Sequence, residues 1–108
     1  MIKQQSKIVI LITTSSEGEA RKIADLLLNE RKAACVNIVP KVESLFWWQG
    51  NIESAQENLL IVKTNTAKLK EITDLIKKVH TYEVPEIIAL PIIGGNEDYI
   101  KWLDTILE

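Results

Sequence analysis

At 108 residues, 46% hydrophobic and 26% charged, the chain is sized for one folded domain over 1–108, with no room for a separate catalytic module. Its net charge of −2 comes from scattered basic and acidic residues, which argues against a nucleic-acid partner. The single cysteine, Cys35, excludes an intrachain disulfide framework and a Cys-rich zinc site.

The apolar runs are far too short to span a bilayer, and Met1-Ile-Lys-Gln-Gln-Ser-Lys7 carries no apolar leader stretch. A cytoplasmic protein without membrane contact is therefore expected. Lys7-Ile-Val-Ile-Leu-Ile-Thr-Thr14 is a β-branched run of strand length. Ser16-Glu-Gly-Glu19 then has the capping-box pattern, in which Ser accepts a free N–H and Glu reaches back. Ala20, Ile23, Ala24, Leu27 and Leu28 recur at helical spacing, which predicts an amphipathic helix over residues 17–31. Ala33-Ala-Cys-Val-Asn-Ile-Val39 reads as a second strand ended by Pro40.

Residues 42–48 and 52–63 read as the two sides of a long hairpin arm turning at Gln49-Gly50-Asn51, where glycine supplies a positive φ. Thr66 is the expected cap of a helix whose buried stripe is Leu69, Ile72, Leu75, Ile76 and Val79. Glu86-Ile-Ile-Ala-Leu-Pro-Ile-Ile93 is the last strand, broken by Gly94-Gly95. Asn96 opens a terminal helix with Tyr99, Trp102, Leu103, Ile106 and Leu107 on its apolar face. The order β-α-β-β-α-β plus a C-terminal helix is an α+β, ferredoxin-like arrangement, with strands one and three central and strand four at an edge. Pro91 suits an edge, because it lacks the ladder donor.

One mismatch carries the assembly expectation. In this arrangement both crossover helices lie on one sheet face, so the other face should alternate polar with apolar. Ile8 to Ile12, Leu59 to Val62 and Ile87 to Ile93 do not alternate. Other copies of the same chain are the simplest cover, and closed symmetry is their usual form.

Few residues could carry chemistry. Cys35, between Ala34 and Val36, reads as a small core residue rather than a nucleophile. His80 is the only histidine; at a helix C-terminus it reads as a capping or solvated group, or as a ligand completed by another subunit. Phe46-Trp47-Trp48 sends its tryptophans to opposite strand faces, so at least one must anchor an interface or stack on a ligand. Lys63 ends an apolar run and could hold an anion or point to solvent. Tyr82-Glu-Val-Pro-Glu86 sets two carboxylates around a stiff X-Pro bond, either as a hydrogen-bonding or metal-facing cluster or as a structured turn. No phosphate loop, Ser-His-Asp set or paired-ligand spacing is present, so an enzyme is not expected.

Glu30-Arg-Lys-Ala-Ala-Cys-Val-Asn-Ile-Val-Pro40, Trp47-Trp48-Gln-Gly-Asn-Ile, Leu60-Ile-Val-Lys-Thr64, His80-Thr-Tyr-Glu-Val-Pro-Glu86 and Gly95-Asn-Glu-Asp-Tyr99 resemble the CutA family of divalent-cation tolerance proteins. The resemblance implies a ferredoxin-like homotrimer linked to tolerance of copper and other divalent ions, with clefts between subunits like those of the PII signalling proteins. It implies cleft roles for Trp48, Lys63 and Tyr82, and for His80 and Glu86. With Glu83 beside them, His80 and Glu86 form the expected metal-facing set, for a weakly held Cu or Zn not needed for folding. A small anionic effector is the alternative ligand. Members proposed to bind copper carry a Cys at the end of strand one and a His-His pair; here Ile12 and Val79-His80 stand there, removing one thiolate and one imidazole.

Overall fold

The computed structural model describes residues 6–108; the leader reading of Met1 to Gln5 lies outside them. The elements are β1 (Lys7–Thr14), α1 (Glu17–Asn29), β2 (Cys35–Trp48), β3 (Asn51–Asn65), a 3₁₀ turn (Thr66–Lys68), α2 (Leu69–Val79), β4 (Ile87–Pro91) and α3 (Glu97–Leu107). The strands form one antiparallel sheet in the order β2-β3-β1-β4, the ferredoxin-like arrangement with β1 and β3 central. Pro91 lies on the edge strand, opposite Ile8.

Side chains of alternate residues define the two faces. Ile8, Ile10 and Ile12 of β1 and Leu60 and Val62 of β3 pack on Ala20, Ile23, Ala24 and Leu27 of α1 and on Ile72 and Ile76 of α2. The opposite residues, Val9, Leu11, Leu59 and Ile61, are half-buried, and Ile88 and Leu90 across from Leu11 and Val9 are 49% and 47% exposed. This second face is covered at one end by the chain itself. Leu103 and Leu107 of α3 bury Ala34, and Lys7 reaches Asp104 at 2.7 Å. At that end, then, the cover comes from the chain's own terminal helix rather than from another copy.

The hairpin arm is one unbroken pair of strands. Pro40 does not end β2; the register shifts between Val39 and Val42, and Lys41 takes φ +58° at this bulge. A bulge is where a strand tolerates proline, because the ladder is already interrupted. At the tip, Gln49 and Gly50 both have positive φ (+49° and +83°), the two-residue hairpin turn that matches strand twist. Beyond the sheet's body the arm leaves Leu45, Trp47, Trp48 and Ile52 at least 59% exposed.

Three local boundaries differ from expectation. Helix α1 stops at Asn29, where Glu30 and Lys32 N–H groups turn back to Leu26 and Leu27 carbonyls and Arg31 takes φ +54°. Asn65, not Thr66, caps the second helical segment, its side chain accepting from Lys68 N–H at 3.2 Å. Strand β4 is shorter than the apolar run, since only Ile87 to Pro91 find partners on β1.

Candidate functional site

The chemistry-bearing residues meet where β1 ends and the α2–β4 connection passes over it. Ser16 caps α1 by accepting from Glu19 N–H at 3.1 Å, as the capping-box spacing predicts. The Glu19 carboxylate reaches back one residue further than the motif requires. Its Oε1 accepts from Ser15 N–H at 3.0 Å and Ser15 Oγ at 3.2 Å, and its Oε2 accepts from Thr81 N–H at 2.8 Å. Glu19 thereby ties the start of α1 to the residue after His80.

His80 is a buried strut. Its side chain is 0% exposed, which corrects the solvated reading, while the residue does stand at the C-cap of α2, its N–H donating to the Ile76 carbonyl at 2.8 Å. Nε2 donates to the Thr13 carbonyl at 2.7 Å, and Nδ1 accepts from Tyr82 N–H at 2.9 Å. A backbone N–H can only donate, so this hydrogen-bond network assigns the proton to Nε2 and leaves Nδ1 bare. Both ring nitrogens are spent on backbone groups, so a metal would have to displace one of them. Tyr82 packs its ring 4.9 Å from the imidazole and donates its hydroxyl to Glu57 Oε2 at 2.7 Å.

Two pKa shifts follow from these contacts. Burial raises the Glu19 pKa, but the N–H donors of Thr81 and Ser15 stabilise the carboxylate and bring it below the ordinary value of 4.5. Burial, then the Glu57 contact, pushes the Tyr82 phenol up to about 12. A carboxylate whose folded pKa is depressed adds stability above the unfolded pKa, and that stability is lost as pH falls through the folded value. Wild type should therefore lose thermal stability faster than Glu19→Gln as pH is lowered from 4.5, with Glu19→Gln the less stable protein at neutral pH. Parallel melting curves from pH 7 to pH 3 check this.

The other expected site residues are dispersed. Lys63 pairs in register with Cys35, donates to Asn37 Oδ1 at 2.8 Å, and lies 5.8 Å over the Tyr99 ring; among the described residues no carboxylate pairs with it. Trp48 faces Asn51 at the arm tip, roughly 40 Å along β3 from Lys63 at about 3.3 Å per residue. These two cannot share a site within one chain. Glu83 and Glu86 are exposed on either side of Val84 and Pro85. Among the described residues no three His, Cys, Asp or Glu side chains gather as a metal-holding group. Ile12, in the place of the copper-site cysteine, is fully buried against the helices. Within one chain the donors do not fit a soft copper site. Cys35 is half-buried with its thiol 4.0 Å from Asn37 Oδ1, so it is less enclosed than the core reading expects. Sequence reasoning misses Glu57; its one signal is a charge next to Asn58 where the polar first half of β3 gives way to the apolar run from Leu59.

Residues 8–106 match the family model described as CutA1 divalent ion tolerance protein. The chain belongs to the CutA1 family. A divalent-cation tolerance protein CutA from Thermus thermophilus is 52% identical over 88% of this chain and 92% of its own length. A chloroplastic CutA 1 from rice, Oryza sativa, is 45% identical over 89% of this chain but only 54% of its own. The chain thus spans about half the length of such plant relatives. Among solved CutA1 structures, that of the rice protein superposes with a TM-score of 0.93 at 41% identity, covering 96% of this chain and 95% of that one. The Thermus thermophilus structure gives 0.88 at 50% identity, covering 90% and 94%. The Archaeoglobus fulgidus CutA structure is described as periplasmic. No helix among the described residues is long and apolar enough to cross a membrane.

Proposed function

We propose that this CutA1-family chain acts as a cytoplasmic homotrimer in the response to divalent cations such as copper and zinc. It holds an ion weakly in the clefts between subunits and is a binding protein rather than an enzyme. The observation that carries this reading is the uncovered apolar surface: the second sheet face and both sides of the arm expose large side chains that one chain cannot bury. Packing copies through that face brings the arm, with Trp48 at its tip, against a neighbour's sheet. That relieves the separation of Trp48 from Lys63 and Tyr82.

In this reading the ion is met by the exposed carboxylates Glu83 and Glu86, and His80 serves as the strut that positions their segment. Calorimetric titration of Cu²⁺ and Zn²⁺ into wild type, His80→Ala and the double variant Glu83→Gln/Glu86→Gln tests it. Heat is expected from wild type and lost in the carboxylate variant. No heat from wild type with either ion removes the metal reading, and loss in His80→Ala alone would make the imidazole a ligand. A second reading, a small anionic effector, is favoured by Lys63, whose ammonium has only the Asn37 amide and the Tyr99 ring as partners among the described residues.

A further inference from the structure

Two carboxylates beside the His80 ring lack the partner that their burial calls for. The Glu19 side chain is 8% exposed and Glu57 is 7% exposed, yet among the described residues neither forms an ion pair with a lysine or arginine. Carboxylates taken out of water are ordinarily paired. The one group between them that can become a cation is the His80 imidazole. Its Nδ1 lies 3.6 Å from Glu19 Oε2, and the Tyr82 ring packed against it is the one that donates to Glu57.

The ring has two arrangements within reach. Neutral, it accepts from Tyr82 N–H at Nδ1 and donates from Nε2 to the Thr13 carbonyl. A proton added at Nδ1 turns that acceptor into a donor and sets it against the Tyr82 N–H, donor to donor. The acceptor then at hand is Glu19 Oε2, less than ~1 Å beyond the length of about 2.8 Å of a charge-assisted hydrogen bond. The Nε2 bond to Thr13 is available in both arrangements. The ring therefore stays anchored on β1 while its other side changes partner.

The surrounding charges favour this exchange. Glu19 faces the ring from α1, and Glu57 stands behind Tyr82 on β3; β1 offers only the Thr13 carbonyl. Lys77 and Lys78, in the last turn of α2, are exposed. Imidazole is the side chain whose charge ordinarily changes between pH 5 and 8. Glu19 stays ionised over that range, its carboxyl being held below the ordinary 4.5, and the Tyr82 phenol, pushed up to about 12, stays protonated. The imidazole is enclosed by its own chain, so a neighbouring copy cannot touch it.

We infer that His80 is an acid-operated latch on the α2–β4 connection: a proton at Nδ1 trades the Tyr82 N–H for the Glu19 carboxylate and frees the connection from the end of β1. That connection carries Glu83 and Glu86 and leads into β4, so the latch governs how both carboxylates are presented. Among the described residues His80 hydrogen-bonds to neither of them. The inference needs no bound ion and stands apart from the metal reading.

The test is nuclear magnetic resonance of the full chain with a chelator present, taken from pH 8 to pH 5. His80 is the only histidine, so its ring resonances are unambiguous. In wild type the ring and the Tyr82 amide should shift with one common midpoint. Protection of the Tyr82 amide from exchange should fall about tenfold across it, the upper end for one hydrogen bond. The Thr81 amide, held by Glu19, should keep its protection. His80→Gln, which cannot take up the proton, should remove the Tyr82 step. Glu19→Gln, which removes the receiving charge, should move the ring midpoint to lower pH. The inference is overturned if the ring stays neutral down to pH 5, or titrates while the Tyr82 amide does not move. A Tyr82 step that persists in His80→Gln, or a ring midpoint unchanged in Glu19→Gln, overturns it as well.

Discussion

His80→Ala is expected to lower the free energy of unfolding by about 2–4 kcal/mol, the range for emptying a buried position and unpairing its hydrogen-bond partners together. The imidazole side chain is 0% exposed and joins three segments: the end of β1 through the Thr13 carbonyl, the α2 terminus on which it sits, and the α2–β4 connection through Tyr82 N–H. Alanine leaves that carbonyl without its side-chain donor, Tyr82 N–H without its acceptor, and a ring-sized void. Loss of the strut should also loosen residues 81–86. Denaturant unfolding of wild type and variant reads the first effect, and amide exchange of Thr81 and Tyr82 the second. If the variant unfolds at the wild-type midpoint, the strut assignment fails. His80→Gln is the informative companion: a side-chain amide donates and accepts but lacks the ring's fixed geometry, so a partial recovery is expected.

The same histidine shows where sequence reading stops. Its place at a helix end was legible, because the stripe Leu69, Ile72, Leu75, Ile76 and Val79 ends beside it, and Ile72 and Ile76 are indeed fully buried. Its burial was not legible. Thr13 lies 67 residues away, and no local pattern says that its carbonyl would meet an imidazole. Glu19 is intermediate. The capping-box spacing placed its carboxylate near the start of α1, but the Thr81 N–H that it also accepts comes from 62 residues downstream. Glu57 and Tyr82 pair across 25 residues; Tyr82 was legible as a candidate within the Tyr82–Glu86 segment, but nothing local named Glu57 as its partner.

Strands were legible in type and order because their apolar runs are long, and the edge position of β4 followed from connection rules and Pro91. Their ends were less legible. β2 continues through Pro40 because Lys41 takes a left-handed conformation that rejoins the ladder at Val42, and a lysine does not announce a positive φ. The terminal helix was read correctly as amphipathic. Its role in covering one end of the second sheet face depends on the contact of Leu103 and Leu107 with Ala34, which periodicity alone cannot supply.

Ile88→Asp should convert the proposed homotrimer into a folded monomer. Ile88 stands opposite Leu11 on the second sheet face and is 49% exposed in a single chain. In one subunit an aspartate there keeps much of its hydration, so the subunit should lose no more than about 1 kcal/mol. In a trimer closed through this face the same carboxylate would be taken out of water three times over with no cation opposite it. An uncompensated buried charge costs several kcal/mol at each seam, and every ~1.4 kcal/mol is tenfold in the association constant. Sedimentation should therefore move from a species of three chains to one of 12.2 kDa, with far-ultraviolet circular dichroism preserved. Wild type sedimenting as a single chain at micromolar concentration would sink the trimer outright. A variant that stays trimeric would show that the copies meet elsewhere, leaving the arm residues Leu45, Trp47 and Ile52 as the surface that joins them. The two outcomes separate because the sheet face and the arm are different surfaces of the same hairpin-extended sheet: one is its broad body, the other a two-stranded projection.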